Sequence, residues 1–235
     1  MPTSALAHHQ PASAFEQARF NMIEQQIRPW DVLDTDILAL LNTVPRERFV
    51  PAAHQALAFS DLEIPLTQPA RAGQSMLPPR LEARLLQDLK LKPTDHVLEI
   101  GTGSGYMAAL LAHRAQRVTT VEINQTLASE ARDVLEGQKI QNVNVILGDG
   151  SQPDTWRKSG PFDVILLSGS VATMPTAWLE FLKPGGRLVG IAGQPPVMCA
   201  TFITKGANDS SQTTTPWDTI APRLTGFPEP SRFTF

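Results

Sequence analysis

Three acidic residues that close apolar stretches, Glu99, Glu122 and Asp149, are the side chains of this 235-residue sequence best placed to do chemistry. Glu99 ends HVLEI and runs into Gly101, Gly103 and Gly105, giving EIGTGSGY. Glycines at such a turn let backbone N–H groups approach a ligand at the edge of a sheet. A dinucleotide fingerprint needs G-x-G-x-x-G, and Tyr106 stands where its third glycine belongs. The G-x-G-x-G spacing fits a nucleotide-like ligand that lacks a pyrophosphate. Glu122 ends VTTVEI, where a carboxylate can accept from both hydroxyls of a ribose. Asp149 and Gly150 end NVILGDG; the acid can accept from an adenine amino group while the glycine leaves room for the ring. Taken singly, each has a plainer reading as a strand-to-helix turn, an exposed strand-end acid or a GDG turn. Together they converge on the crevice where open α/β sheets bind ligands.

Elements with the right alternation must carry these residues to one edge. Strands are expected at His96 to Ile100, Val118 to Ile123, Val143 to Leu147, Phe162 to Leu167 and Arg187 to Ala192. Helices are expected at Met107 to His113, Leu127 to Gln138 and Thr176 to Leu182. This order implies an α/β fold, a doubly wound and mostly parallel sheet covered on both faces. Upstream, the apolar set of Ala14 to Ile27 follows a helical stripe only roughly. Asp34 or Thr35 can cap a second helix through Val44, with Pro45 as a stop. From Pro79 to Leu91 an amphipathic face is formed by Leu81, Leu85, Leu86 and Leu89. Phe59 to Pro78 has little periodicity and reads as a long irregular loop, a class that is usually functional or disordered. Downstream come a strand-like Met198 to Thr204, a polar stretch from Gly206 to Thr215 expected as a mobile hairpin tip, and a terminal SRFTF. The expected organisation is a disordered tail over 1–13, then one domain whose N-terminal helices and loop (14–92) precede the α/β core (93–235).

Composition narrows the function. With 20 Lys+Arg against 23 Asp+Glu and a net charge of -3, the chain lacks the basic cluster that phosphate backbones demand, so no nucleic-acid partner is expected. Cys199 is the single cysteine, excluding an internal disulfide, and a buried, inert thiol is expected there. The histidines lack metal-ligand spacing, and no metal is expected. No apolar run approaches the ~20 residues that span a bilayer. No secretory signal is recognised at the start, and a cytoplasmic location is expected.

The segments EIGTGSGY, VTTVEI, GDGS and LKPGGRLV resemble a class I S-adenosylmethionine-dependent methyltransferase. More narrowly, MIEQQIRP, VPRERFVPAA, AGQSM and GDGS resemble, in the same order, the protein-L-isoaspartate O-methyltransferase family. The resemblance implies a seven-stranded Rossmann-like sheet with an N-terminal helical cap. It also implies S-adenosylmethionine as methyl donor, S-adenosylhomocysteine as product, and methyl transfer to the free carboxylate of isoaspartyl residues in damaged proteins. The cofactor residues it implies are Gln74, Ser75, Met76, Glu82, Glu99, Gly101, Thr102, Gly103, Gly105, Glu122, Ile123, Asp149 and Gly150.

The substrate half departs from the pattern. Where the family carries a serine associated with the active site, this sequence has Leu77, which cannot donate a hydrogen bond to a carboxylate. The link Thr67 to Ala72 is longer than the family's, and SGSVATMP matches only loosely. Ser75, two positions earlier, is the substitute hydroxyl, with a loop serine as its plainer reading. Arg71 and Arg80 are candidates to attract an acidic substrate. The chain can therefore act on isoaspartyl carboxylates, on another carboxylate or small molecule, or bind the cofactor without catalysis.

Overall fold

Runs of Val, Ile and Leu without charges cannot keep one face in water, and they form the middle of a parallel sheet. The protein is described from a computed structural model over residues 14–71, 73–208 and 210–230; the expected N-terminal tail and the terminal SRFTF lie outside the described residues. The N-terminal part consists of α1 (Ala14–Met22), α2 (Thr35–Thr43), the short strands β1 (Ile64–Pro65) and β2 (Ser75–Met76), and α3 (Pro79–Leu89). The core continues with β3 (His96–Ile100), α4 (Tyr106–Arg114), β4 (Arg117–Glu122), α5 (Gln125–Gly137) and β5 (Val143–Leu147). It ends with β6 (Phe162–Val171), β7 (Leu182–Gln194), β8 (Val197–Lys205) and β9 (Ser211–Thr214).

The seven-stranded sheet has the order β5-β4-β3-β6-β7-β8-β9. Neighbours from β5 to β7 are parallel, and β8 and β9 add antiparallel. Successive residues of a strand face opposite sides, and the core divides accordingly. Val97, Val118, Val164 and Leu166 join the apolar cluster under α2 to α5, whereas Leu98, Val121, Ile165 and Leu167 join the other. Trp156 and Trp178 anchor that second face, their ring centroids 4.9 Å apart. The first cluster also holds Met22, Ile27 and Leu41 from the N-terminal segment, so the helical cap shares the core of the sheet. Among the described residues no helix is long and apolar enough to cross a membrane.

Several elements differ from expectation for local reasons. The rough stripe after Ala14 reflects a change of winding, since Ile23–Ile27 form a π-helical turn and Arg28–Trp30 a 3-10 turn. The loop from Phe59 to Pro78 is tied off, with Ile64 paired to Met76 and Pro65 to Ser75. Thr176–Phe181 is a 3-10 turn rather than an α-helix. The polar stretch after Gly206 is a hairpin as expected, with its tip shorter than Gly206 to Thr215 because Ser211–Thr214 form β9, paired antiparallel to β8. Cys199 is half-buried, its thiol donating to Asp218 Oδ1 at 3.0 Å, rather than enclosed as expected.

At the start of α2 the Asp34 carboxylate accepts from the Asp36 and Ile37 N–H groups at 2.9 and 3.3 Å. Replacing such a cap with alanine costs about 1 kcal/mol. Asp34→Ala is expected to lower the urea midpoint correspondingly, and an unchanged midpoint would remove the cap from the account of stability.

Candidate cofactor and active site

A parallel sheet gathers the carboxyl ends of its strands at one edge, and here the ends of β3, β4, β5 and β6 border an open cleft. Gly101 and Gly103 after β3, Glu122 and Ile123 after β4, Gly150 after β5 and Ser168 in β6 line it, with Gln74 and Ser75 from the β1–β2 hairpin opposite. Gly101 has φ +92°, and a Cβ there would lie 2.8 Å from Leu224 Cδ2. Only glycine fits that combination. Gly150 is held from behind, since its carbonyl accepts from Trp156 Nε1 at 2.9 Å.

Glu122 is the polar anchor of this cleft. The residue is 6% exposed, and its carboxylate accepts from the Gly103 N–H at 2.9 Å and the Asn124 N–H at 3.0 Å. Each oxygen carries a second lone pair, and the residue lines the cleft. Asn124 in turn caps α5 through Thr126 and Leu127 and donates to the Gln74 side chain at 3.3 Å. The hairpin is thereby tied to the end of β4.

A second, small cavity shares Ser75, Gly101, Gly103 and Ser168 with the cleft and extends to Met76, Leu77, Glu82, Glu99, Thr102, Ser104 and Met107. Glu99 is 0% exposed, and burial pushes its carboxyl up to about 8, against hydrogen bonds donated by Ser168 and Thr120. Burial likewise raises Glu82 to about 7, against the attraction of the Arg46 guanidinium. Two carboxyl groups thus hold protons near neutrality beside one small space, the environment in which functional acids are found.

Most of the expected residues meet in these two joined spaces, and two do not. Gly105 caps α4, its Cα side facing Ala131 and Leu135 of α5. It serves helix packing there. The Asp149 carboxylate accepts from the Ser151 N–H at 2.9 Å, and Gly150 rather than Asp149 lines the cleft. The Ser75 hydroxyl donates to Glu63 at 3.0 Å. Leu77 is buried within the main apolar cluster. Arg80 is committed to Asp61 at 2.9 Å and stacks over Trp30, whereas Arg71 is exposed.

Ser168, Leu66, Leu224 and Thr225 also line the cleft and were not expected from the sequence. Ser168 had a signal, because it follows the expected end of its strand by one residue. Leu224 and Thr225 had none. They arrive because β6 runs on to Val171, where Ser170 N donates to the Pro222 carbonyl and accepts, through its own carbonyl, from Leu224 N at 2.7 and 2.9 Å.

The family model described as protein-L-isoaspartate(D-aspartate) O-methyltransferase (PCMT) matches residues 17–217. The chain belongs to this family. A Koribacter versatilis (strain Ellin345) protein-L-isoaspartate O-methyltransferase is 37% identical over 201 residues, 86% of this chain and 88% of the relative. A Picosynechococcus relative of the same name is 43% identical over 179 residues, 75% of this chain and 78% of that one. The fold is shared with a Plasmodium falciparum protein-L-isoaspartate O-methyltransferase in complex with S-adenosyl-L-homocysteine, at TM-score 0.69 and 18% identity over 88% of this chain and 96% of that chain. A second solved protein-L-isoaspartate O-methyltransferase superposes at TM-score 0.71 with 24% identity, covering 90% of this chain and 66% of that chain. Membership in the protein-L-isoaspartate O-methyltransferase family makes the chain a methyltransferase, and the cleft at the carboxyl edge is its candidate centre.

The raised carboxyls give that centre a pH signature. An unfolded chain releases the Glu99 proton near 4.5, while the folded chain keeps it up to about 8. Folding therefore takes up a proton between those values, and stability declines as pH rises through the window. Glu82 acts with the same sign up to about 7. Glu99→Gln is expected to flatten the decline seen by thermal denaturation between about pH 5 and 8; equal slopes in the two proteins would contradict a buried, protonated Glu99.

Proposed function

We propose that this methyltransferase uses S-adenosylmethionine and esterifies the free α-carboxylate of isoaspartyl residues in damaged proteins. The observation that carries the cofactor reading is Glu122, fixed by two backbone N–H groups and lining a cleft walled by glycine. Glu122 would take the ribose hydroxyls, Gly150 and Ile123 would leave room for and cover the adenine, and the Gly101–Gly103 turn would carry the methionine end toward the smaller cavity. Glu82 there, once ionised, suits an ammonium group, and Glu99 lies beside it in the same cavity. When bound, this cofactor supplies an electrophilic methyl on a sulfonium. A carboxylate is already a nucleophile at neutral pH, so the chain need only orient the acceptor and exclude water, which is what Leu66, Leu77 and Leu224 contribute by lining the joined cavities.

Leu77 favours a second reading, transfer to a different carboxylate. Its side chain offers no donor, and the nearby Ser75 hydroxyl is spent on Glu63. Incubation with labelled S-adenosylmethionine and an isoaspartyl peptide separates the two. Base-labile methyl ester on that peptide, and none on its aspartyl counterpart, is expected from the first reading. No label above a boiled control would sink it. Under the second reading Leu77→Ser stays near background on the isoaspartyl peptide, whereas a gain approaching the hundredfold worth of one transition-state hydrogen bond would count against it.

Binding can be measured without an acceptor. Losing a partner for buried hydroxyls costs about 1–3 kcal/mol, roughly 5- to 150-fold in affinity. Glu122→Ala is expected to weaken S-adenosylmethionine in calorimetry by that range, and an unchanged Kd would remove Glu122 from the site.

A further inference from the structure

We propose that Arg46 is the positioning residue of this centre, setting both the Ser75–Leu77 wall and the charge on Glu82; the inference rests on the cofactor reading above. The side chain is 0% exposed although it lies in a 3-10 turn, Arg46–Arg48, outside the sheet. Each face of its guanidinium fork is used. Nε donates to the Ala58 carbonyl at 3.0 Å, one terminal nitrogen donates to the Leu77 carbonyl at 2.6 Å, and the other is paired with Glu82. The cation also lies 5.0 Å from the centre of the Tyr106 ring on α4. One planar group thereby joins the N-terminal cap, the end of the hairpin, α3 and α4.

A buried guanidinium is expensive and is kept only where its geometry is used. Here the use is visible in what its partners line. Leu77 and Glu82 both face the smaller cavity, and Ser75, two residues before Leu77, faces both spaces. Lysine, a point charge, could hold Glu82 but could not also reach the Leu77 and Ala58 carbonyls as a fork does. The charged and titratable groups facing Glu82 are Arg46 from the turn, Glu99 from β3 across the cavity, and Tyr106 from α4. Farther out, Glu47 is paired with Arg19 at 2.6 Å. Arg46 is thus the cation in contact with Glu82, and burial is what resists that carboxyl's ionisation.

The sign follows directly. A cofactor ammonium favours ionised Glu82, so affinity should rise as pH increases through about 7, where burial places that carboxyl. Removing an adjacent cation raises a carboxyl by about 1–3 units. The test measures S-adenosylmethionine Kd by calorimetry between about pH 6 and 9, with kcat and KM alongside, for wild type, Arg46→Lys, Arg46→Met and the double variant Arg46→Met/Glu82→Gln. Arg46→Met is expected to move the midpoint of the affinity profile alkaline by about one unit or more. Arg46→Lys should keep the midpoint and raise KM several-fold, with kcat less affected. The double variant, which leaves no buried charge unpaired, should fold and lose the Glu82 step from its profile. Should Arg46→Met fail to fold, the double variant decides, because a wild-type profile there overturns the proposal. An unshifted midpoint in a folded Arg46→Met overturns it equally. Wild type that does not bind S-adenosylmethionine at all refutes the cofactor reading itself, a result distinguishable from both.

Discussion

The pair of hydrogen bonds that Glu122 accepts from the Gly103 and Asn124 N–H groups is the interaction on which the centre depends. It links the turn after β3 to the turn after β4, and it can do so only because those strands are parallel neighbours with Ile100 beside Val121. The glycines make the first turn narrow enough to reach the carboxylate, and Asn124 uses its side chain to start α5. Through Gln74, the same asparagine carries the constraint to the hairpin. A carboxylate that both builds the crevice and lines it needs no further device to be preorganised.

Much of this was legible in the sequence because the signals were local. The five core strands, the cap at Asp34 and the convergence of Gly101, Glu122 and Gly150 follow from apolar runs and from the chemistry of strand ends. What could not be read depends on contacts distant along the chain. Ser170 draws Pro222 to Leu224 over the cleft, although nothing in APRLTGF marks it as a wall. The short pairing of Ile64 with Met76 is likewise invisible to periodicity, being too brief to alternate. Arg46 sits in a motif that signals the family but reads as a surface turn, since arginine in a proline-flanked stretch is ordinarily solvated. Its burial emerges only when α3 and α4 close over it.

Charge explains why such a centre can serve an anionic acceptor. Glu82, Glu99 and Glu122 line the joined cavities while, among the described residues, no lysine or arginine does, an arrangement that would repel a carboxylate if all three were ionised. Burial relieves this, because Glu99 and part of Glu82 keep their protons near neutrality. Methyl transfer from a sulfonium to a carboxylate also converts two opposite charges into neutral products, so a dry, weakly charged space opposes the reactants more than the transition state between them. Leu77, buried in the main apolar cluster and lining the smaller cavity, adds an apolar wall to that space.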